Sequence, residues 1–369
     1  MKHRGKRIVI AALLLALLCG CGAAPQKEHE TEPAGDGPYL SITYGCNNAE
    51  NASGRDMVFY TYDLETRQLT EEAVIPFDAR YASGVVSRAD GIVYYSRRAE
   101  PGVLTSNDSL CAHDIATGEE TLLETEHVSY NEITLVDPDT LLVMAVTAEH
   151  PILPARFDLK SRTFTDAAEV NGEEPTLYTS GSSPLNYNYQ TGSFINIYQV
   201  EAERYSEAYH RFESEINTYV ALMNDDLVKD PNRVYAVGLL LGSLIDDAVQ
   251  LSDNELLVER TDDSFDEEKG VLVTERHFYR LTFAGDGSAS FEPTEPPFPA
   301  KKVREHGYRT VDGGRTWYLI MGEKNSETGG LYAAYCTETG ELTPILLNDP
   351  AAEGYIIDFS IIGPQGQRD

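Results

Sequence analysis

Short runs of alternating apolar and polar residues fill most of the chain, and turn-forming residues interrupt them at close intervals. The runs are rich in Tyr, Val, Ile, Leu and Thr, and the interruptions carry Asp, Gly, Asn and Pro. Alternation with a period of two, broken by such residues, predicts strands joined by hairpins. One kind of hairpin recurs at 84–97, 132–147, 185–199, 248–260 and 307–322. A second kind, a strand followed by a tight turn and an outer strand, recurs at 58–73, 110–124, 155–167, 277–293 and 331–346. Asp63, Asp114 and Asp158 hold equivalent places before tight turns, where a carboxylate accepts backbone N–H groups; in the Asp114-Ile-Ala-Thr-Gly118 turn the Gly supplies positive φ.

Two hairpins repeated every 45 to 60 residues or so form the unit of a β-propeller blade, whose two faces are buried only when blades stack around a ring. The expected fold is therefore all-β, a β-propeller of about six blades over 38–369. Seven is the alternative count, since 200–246 has room for a degenerate blade. The first unit shows only three strands, around 39–44, 58–62 and 69–75, and the final run, 355–362, has no partner in its neighbourhood. That last run is expected to complete the first blade and close the ring, which removes exposed sheet edges. One stretch breaks the rhythm. In 203–224, Tyr205, Tyr209, Phe212, Ile216, Tyr219 and Met223 are spaced alternately by four and three, which predicts an amphipathic helical insertion packed on the propeller.

At the N-terminus Lys2, Arg4, Lys6 and Arg7 precede an uninterrupted apolar run, 8–18, too short for an ordinary spanning helix. The run ends in Leu18-Cys19-Gly20-Cys21, and the whole has the layout of an export signal. It resembles the lipobox of bacterial lipoproteins, with a large aliphatic residue at −3, a small one at −1 and the lipidated cysteine at +1. Cys21 fits this pattern better than Cys19, because Gly20 precedes Cys21 and the bulky Leu18 precedes Cys19. The resemblance implies a signal peptide over 1–20, lipid on Cys21, and residence on the extracytoplasmic face of a cell membrane. Residues 22–37 are small, charged and rich in Pro and Gly, so 21–37 reads as the lipidated cysteine with a flexible tether.

Charge narrows the partners. The formal charge is −31, and cleavage before Cys21 removes four cations and no acids, leaving −35. Such a balance excludes nucleic-acid binding and close contact with an anionic bilayer. Beyond Cys21 the mature cysteines are Cys46, Cys111 and Cys336, with no metal-site spacing; free thiols are the expected state, and a Cys46–Cys336 pair would require the chain's two ends to meet. The acidic pairs Asp225-Asp226, Asp246-Asp247 and Asp262-Asp263 lack the ligand spacing of a calcium loop and read as solvated loop charge.

The most specific local motif is Thr310-Val311-Asp312-Gly313-Gly314-Arg315-Thr316-Trp317. It resembles the Asp-box, Ser/Thr-x-Asp-x-Gly-x-Thr-Trp, of sialidases and several non-enzymatic propellers. In those proteins the box is structural, so the resemblance implies roles in hairpin folding for Thr310, Asp312, Gly314, Thr316 and Trp317. It does not imply sialidase activity, because the Arg-Ile-Pro segment of sialidases has no counterpart here. Nor is there a Gly-x-Ser-x-Gly elbow, a His-Glu-x-x-His, a Cys-x-x-Cys or a phosphate loop. No catalytic residue, metal ligand or cofactor is therefore assigned. The expected function is a membrane-anchored, non-catalytic binding or scaffold propeller for a protein, glycan or cell-wall ligand. The alternative is an extracytoplasmic carbohydrate-active hydrolase or lyase.

Overall fold

The computed structural model describes residues 37–51, 53–124, 127–147, 152–173, 185–206, 211–237, 243–266, 270–322, 330–347 and 354–365. The expected signal peptide, the lipidation site at Cys21 and the tether lie outside the described residues, apart from Gly37.

The chain folds as a six-bladed β-propeller. Strands β1 (Tyr39–Asn47), β2 (Arg55–Asp63) and β3 (Leu69–Pro76) begin the ring. The second blade is β4 (Gly84–Ser87), β5 (Ile92–Arg98), β6 (Asp108–Asp114) and β7 (Glu120–Glu124). The third is β8 (Ser129–Asp137), β9 (Thr140–Val146), β10 (Ile152–Asp158) and β11 (Thr163–Asp166), followed by a one-turn helix α1 (Ala167–Asn171). The fourth has three strands, β12 (Ser193–Ser206), β13 (Arg211–Asn224) and β14 (Lys229–Val237); a single bridge, Asn188 to Ser193, marks the place of its innermost strand. The fifth is β15 (Ser243–Ser252), β16 (Glu255–Asp266), β17 (Val271–Phe283) and β18 (Ala289–Thr294). The sixth is β19 (Val303–Arg309), β20 (Thr316–Gly322), β21 (Gly330–Cys336) and β22 (Leu342–Leu347). The final strand, β23 (Tyr355–Ile362), pairs antiparallel with β1, Tyr39 opposite Ile362, and completes the first blade as the sequence pattern predicted.

A blade is buried on both faces, so its central strands are nearly all apolar. In β9, Leu141, Val143 and Ala145 pack toward the second blade, while Leu142 and Met144 pack toward the fourth. Successive side chains of one strand thus enter two separate cores. The same rule gives a distinct apolar cluster between every neighbouring pair of blades, such as Met57 and Phe59 with Val86 and Tyr95 between the first and second. The ring closes where Ile320 and Tyr332 of the sixth blade meet Ile42 and Phe359 of the first. There the Tyr332 hydroxyl donates to the carbonyl of Asp358 at 2.8 Å and lies 3.1 Å from that of Thr43. The turns use the expected chemistry: the carboxylates of Asp63, Asp114 and Asp158 each accept a backbone N–H three residues on, at 2.7–2.8 Å.

One expectation is overturned. The stretch 203–224 is no helical insertion: it supplies the end of β12 and all of β13, which pair in unbroken register from Ser193 opposite Asn224 to Ser206 opposite Arg211. The spacing that suggested a helix is outweighed by composition and context. Phe212, Ile216, Thr218, Tyr219 and Val220 are strand formers, and the apolar run from Phe194 to Val200 offers a pairing partner. A helix there would bury one stripe, whereas the strand sends Val220 and Leu222 toward the fifth blade and Met223 toward the third.

Cys46, Cys111 and Cys336 are free thiols, Cys111 buried and the other two partly exposed.

Candidate functional site

The inner strands β4, β8, β15, β19 and β23, with residues 185–188 in place of a sixth, surround the axis of the ring. Four of these strands each contribute a charged residue to one cluster: Glu132 on β8, Asp247 on β15, Arg309 on β19 and Asp358 on β23. Ring closure brings these four together from the first, third, fifth and sixth blades.

Arg309 is the hub. Its Nη1 donates to the carbonyls of His306 and Tyr308, both at 2.9 Å, and lies 3.8 Å from Oδ2 of Asp247. Its Nη2 lies 3.6 Å from Oδ1 of Asp358 and makes no hydrogen bond to any described residue. The guanidinium also sits over the Phe359 ring, 5.5 Å from its centroid. On β15 a register shift between Ile245 and Asp247 places Asp247 in the buried layer, with no exposure at all. Asn186 donates from Nδ2 to Oδ1 of Asp247 at 2.5 Å and to the Ala248 carbonyl at 2.6 Å. On the opposite side, Oε2 of Glu132 accepts the Leu185 N–H at 2.6 Å.

Two residues beside Asp247 hold left-handed backbone conformations that side chains other than Gly seldom adopt: Asn186 (φ 40°) and His306 (φ 57°). His306 lies within the irregular part of the β19–β20 register, and its Nδ1 is 4.0 Å from Oδ2 of Asp247. Local strain at both positions is sustained by the contacts to Asp247 and its neighbours, an arrangement common at functional centres.

Burial dominates the electrostatics. It pushes the Glu132 carboxyl up to about 8, helped by nearby Asp358 and opposed by Arg309. It pushes Asp247 up to about 8 as well, against the pull of Arg309 and with Glu259 adding to the rise. His306 is held below its ordinary value by burial and by Arg309. Behind this layer Glu259, fully buried, is gripped by Arg276 through a second, paired contact (Nη2 to Oε2, 2.9 Å), and burial raises Asp246 to about 6. A small, partly open pocket here is lined on its polar side by Glu132, Thr134, Asn186, Arg309, Thr310 and Ser360, and its volume of about 20 Å³ has room for a water molecule or two. Among the described residues no group of His, Cys, Asp and Glu has the arrangement of a metal site.

The hairpin at 310–317 adjoins this cluster through Thr310. The Thr310 hydroxyl donates to Oδ1 of Asp312 at 3.0 Å and accepts the Gly314 N–H at 3.1 Å. The same Asp312 oxygen accepts the Thr316 N–H at 2.9 Å, and Trp317 donates its indole N–H to the Gly314 carbonyl at 2.9 Å. Gly314 has φ 82°, and a Cβ there would stand 3.2 Å from the indole, so a larger residue would be both strained and crowded. Trp317 is fully buried between the fifth and sixth blades.

The sequence reading missed the central cluster. Asp246-Asp247 was expected to be solvated loop charge, and the structure buries it because β15 is an inner strand. A partial signal existed: Glu132 and Asp358 each interrupt an inner-strand run with a charge, whereas Arg309 follows Arg304, Glu305 and His306 on its own strand. What one strand could not reveal is that the four charges face one another.

No protein-family model matches the chain, and no curated protein matches it. Solved structures of similar fold include TolB from Acinetobacter baumannii, 13% identical, with 89% of this chain and 67% of that one covered and a TM-score of 0.44. Oligogalacturonate lyase from Vibrio parahaemolyticus is 11% identical, with 84% and 79% covered and a TM-score of 0.41. The Pseudomonas aeruginosa periplasmic gluconolactonase is 11% identical, with 89% and 99% covered and a TM-score of 0.38. At these values the likeness says nothing about activity.

Proposed function

We propose that the chain is exported, carries lipid on Cys21, and displays its propeller on the extracytoplasmic face of a membrane as a non-catalytic binding or scaffold module. Its ligand on this reading is an extracellular protein, a glycan or a cell-wall polymer met at a rim or face of the ring. The observation that carries the non-catalytic reading is how the central charges are engaged. Arg309 faces Asp247 and Asp358, Asn186 holds Asp247, and the pocket lined by Arg309, Asn186 and Glu132 has room for a water molecule or two. The anchor rests on the cationic start, the apolar run and the Leu-Cys-Gly-Cys ending of the first 21 residues.

One observation favours the alternative, a carbohydrate-active hydrolase or lyase. Glu132 and Asp247 each stay largely protonated at neutral pH, and such a carboxyl can give a proton to a leaving oxygen. Thermal unfolding of the full chain with wall fragments and a glycan panel separates the two readings. A ligand that raises the melting temperature without being consumed supports binding, because a compound held only by the folded state stabilises it. Release of reducing or unsaturated ends, abolished by Glu132→Gln, establishes the enzyme instead. For the anchor, intact-mass analysis of the membrane fraction is expected to show acyl chains on the mature protein that Cys21→Ser removes.

A further inference from the structure

The fifth blade carries a ribbon that its own sheet does not need. Strands β16 and β17 pair without interruption from Glu255 opposite Thr282 to Asp266 opposite Val271. Their neighbours stop short. β15 reaches β16 only as far as Ser243 opposite Asp262, and β18 reaches β17 only as far as Phe278 opposite Thr294. Beyond those points no strand among the described residues lies along the outer edge of either strand. The backbone N–H and C=O groups on the β17 side, from Val271 to Glu275, therefore form an open edge. Nearer the blade, Arg276 is already tied to the carbonyls of Ala300 and Val303 at 3.1 and 2.7 Å.

The side chains of the ribbon are of two kinds. Phe265 and Leu272 are directly opposed and so share a face, and they are 63% and 65% exposed; Leu244, which pairs with Thr261 on the same face, is 48% exposed. In sequence the stretch 262–275 contains six acidic residues and a single Lys, and among the described side chains Asp262, Asp263 and Glu275 belong to the ribbon. Arg260 and His277 offset Asp262 at the root, at 2.6 and 3.3 Å, and Asp263 accepts the Thr274 hydroxyl at 2.6 Å. A long open edge with large apolar groups is a standing hazard for a folded protein, and natural sheets usually cover or shorten it.

We infer that this ribbon is a docking edge for a basic, extended segment of a partner protein, which adds a strand along Val271–Glu275. In this mode the main chain supplies the pairing and alternate side chains supply the choice of partner. Apolar residues of the incoming strand lie over Phe265 and Leu272, and the intervening Lys or Arg residues meet the acids. The charge selects this occupant over two others. A second copy of the chain brings the same acidic ribbon and a formal charge of −31, and an anionic bilayer brings negative charge as well; both are repelled.

The test uses a fluorescein-labelled peptide of alternating Lys and Val, seven residues long in order of size, titrated with the full chain while fluorescence anisotropy and amide hydrogen exchange are followed. The expected result is saturable binding, new protection of the amides of Val271–Glu275, and an affinity about tenfold weaker in Phe265→Ser/Leu272→Ser. The melting temperature of that variant checks that the blade is intact. A Lys–Gly peptide of the same length, run on the unaltered chain, tests the apolar half of the claim without any substitution and is expected to bind at least about tenfold more weakly. Equal binding of the two peptides, equal binding by the variant, or protection appearing elsewhere overturns the inference. So does self-association of the chain, or adsorption to phosphatidylglycerol vesicles, through the same edge.

Discussion

Two Asp-Asp pairs sit on neighbouring strands of one sheet, Asp246-Asp247 on β15 and Asp262-Asp263 on β16, and they have opposite fates. The first lies on an inner strand. Asp247 is wholly buried beside Arg309 and Asn186, and burial raises its carboxyl to about 8. The second lies where β16 leaves the blade. Asp263 is exposed, and its carboxylate accepts the Thr274 hydroxyl across the ribbon. The dipeptide is the same; the difference lies in distance from the ring axis. A charge near the axis is taken out of water by five other blades, and it must find partners there or take up a proton.

Removing the hub has the largest expected effect. Arg309→Met deprives the buried carbonyls of His306 and Tyr308 of their donor, at about 1–3 kcal/mol each. Urea denaturation at pH 7 measures the loss, which grows further above pH 8 as Asp247 and Glu132 ionise with no cation beside them.

The unaltered chain is itself expected to weaken with rising pH. Glu132 and Asp247 are raised from ordinary values of 4.5 and 3.8 to about 8, so the folded protein holds protons that the unfolded chain has released. Their stabilising contribution is complete below about pH 4 and is lost as pH climbs to about 8. A series of melting temperatures from pH 5 to pH 9 is expected to fall, and the double variant Glu132→Gln/Asp247→Asn to flatten it. A rising series would contradict the burial argument.

A finer test compares the two Asp pairs directly. Asp247→Asn mimics the protonated acid, so at pH 4, where the unfolded carboxyl also begins to hold its proton, its stability is expected within about 1 kcal/mol of the unaltered chain. At pH 9, where the native carboxyl ionises, the variant becomes the more stable protein. Asp263→Asn is the smallest change of all, within about 0.5 kcal/mol at both values, because its carboxyl never leaves water. If Asp263→Asn showed the same pH-dependent gain, position relative to the axis would not be what separates the pairs.

Some of this protein was legible along the chain alone. Period-two alternation, turn residues at short spacing and the orphan final run were enough for six blades and for closure by β23, because each depends on local propensity and on the need to bury both faces of a sheet. The hydrogen bonds among Thr310, Asp312, Gly314, Thr316 and Trp317 lie within eight consecutive residues, the range over which a local pattern can act. Local signals failed at 203–224, where helical spacing and strand composition competed and a partner strand decided the outcome. They failed again at the centre, where Glu132, Asp247, Arg309 and Asp358 are scattered over more than half the chain. Sequence determined which strands exist and where each turns. Only the closed ring decided which charges meet in the dark at its axis and which remain in water, because burial is set by the blades on either side and not by the residues next door.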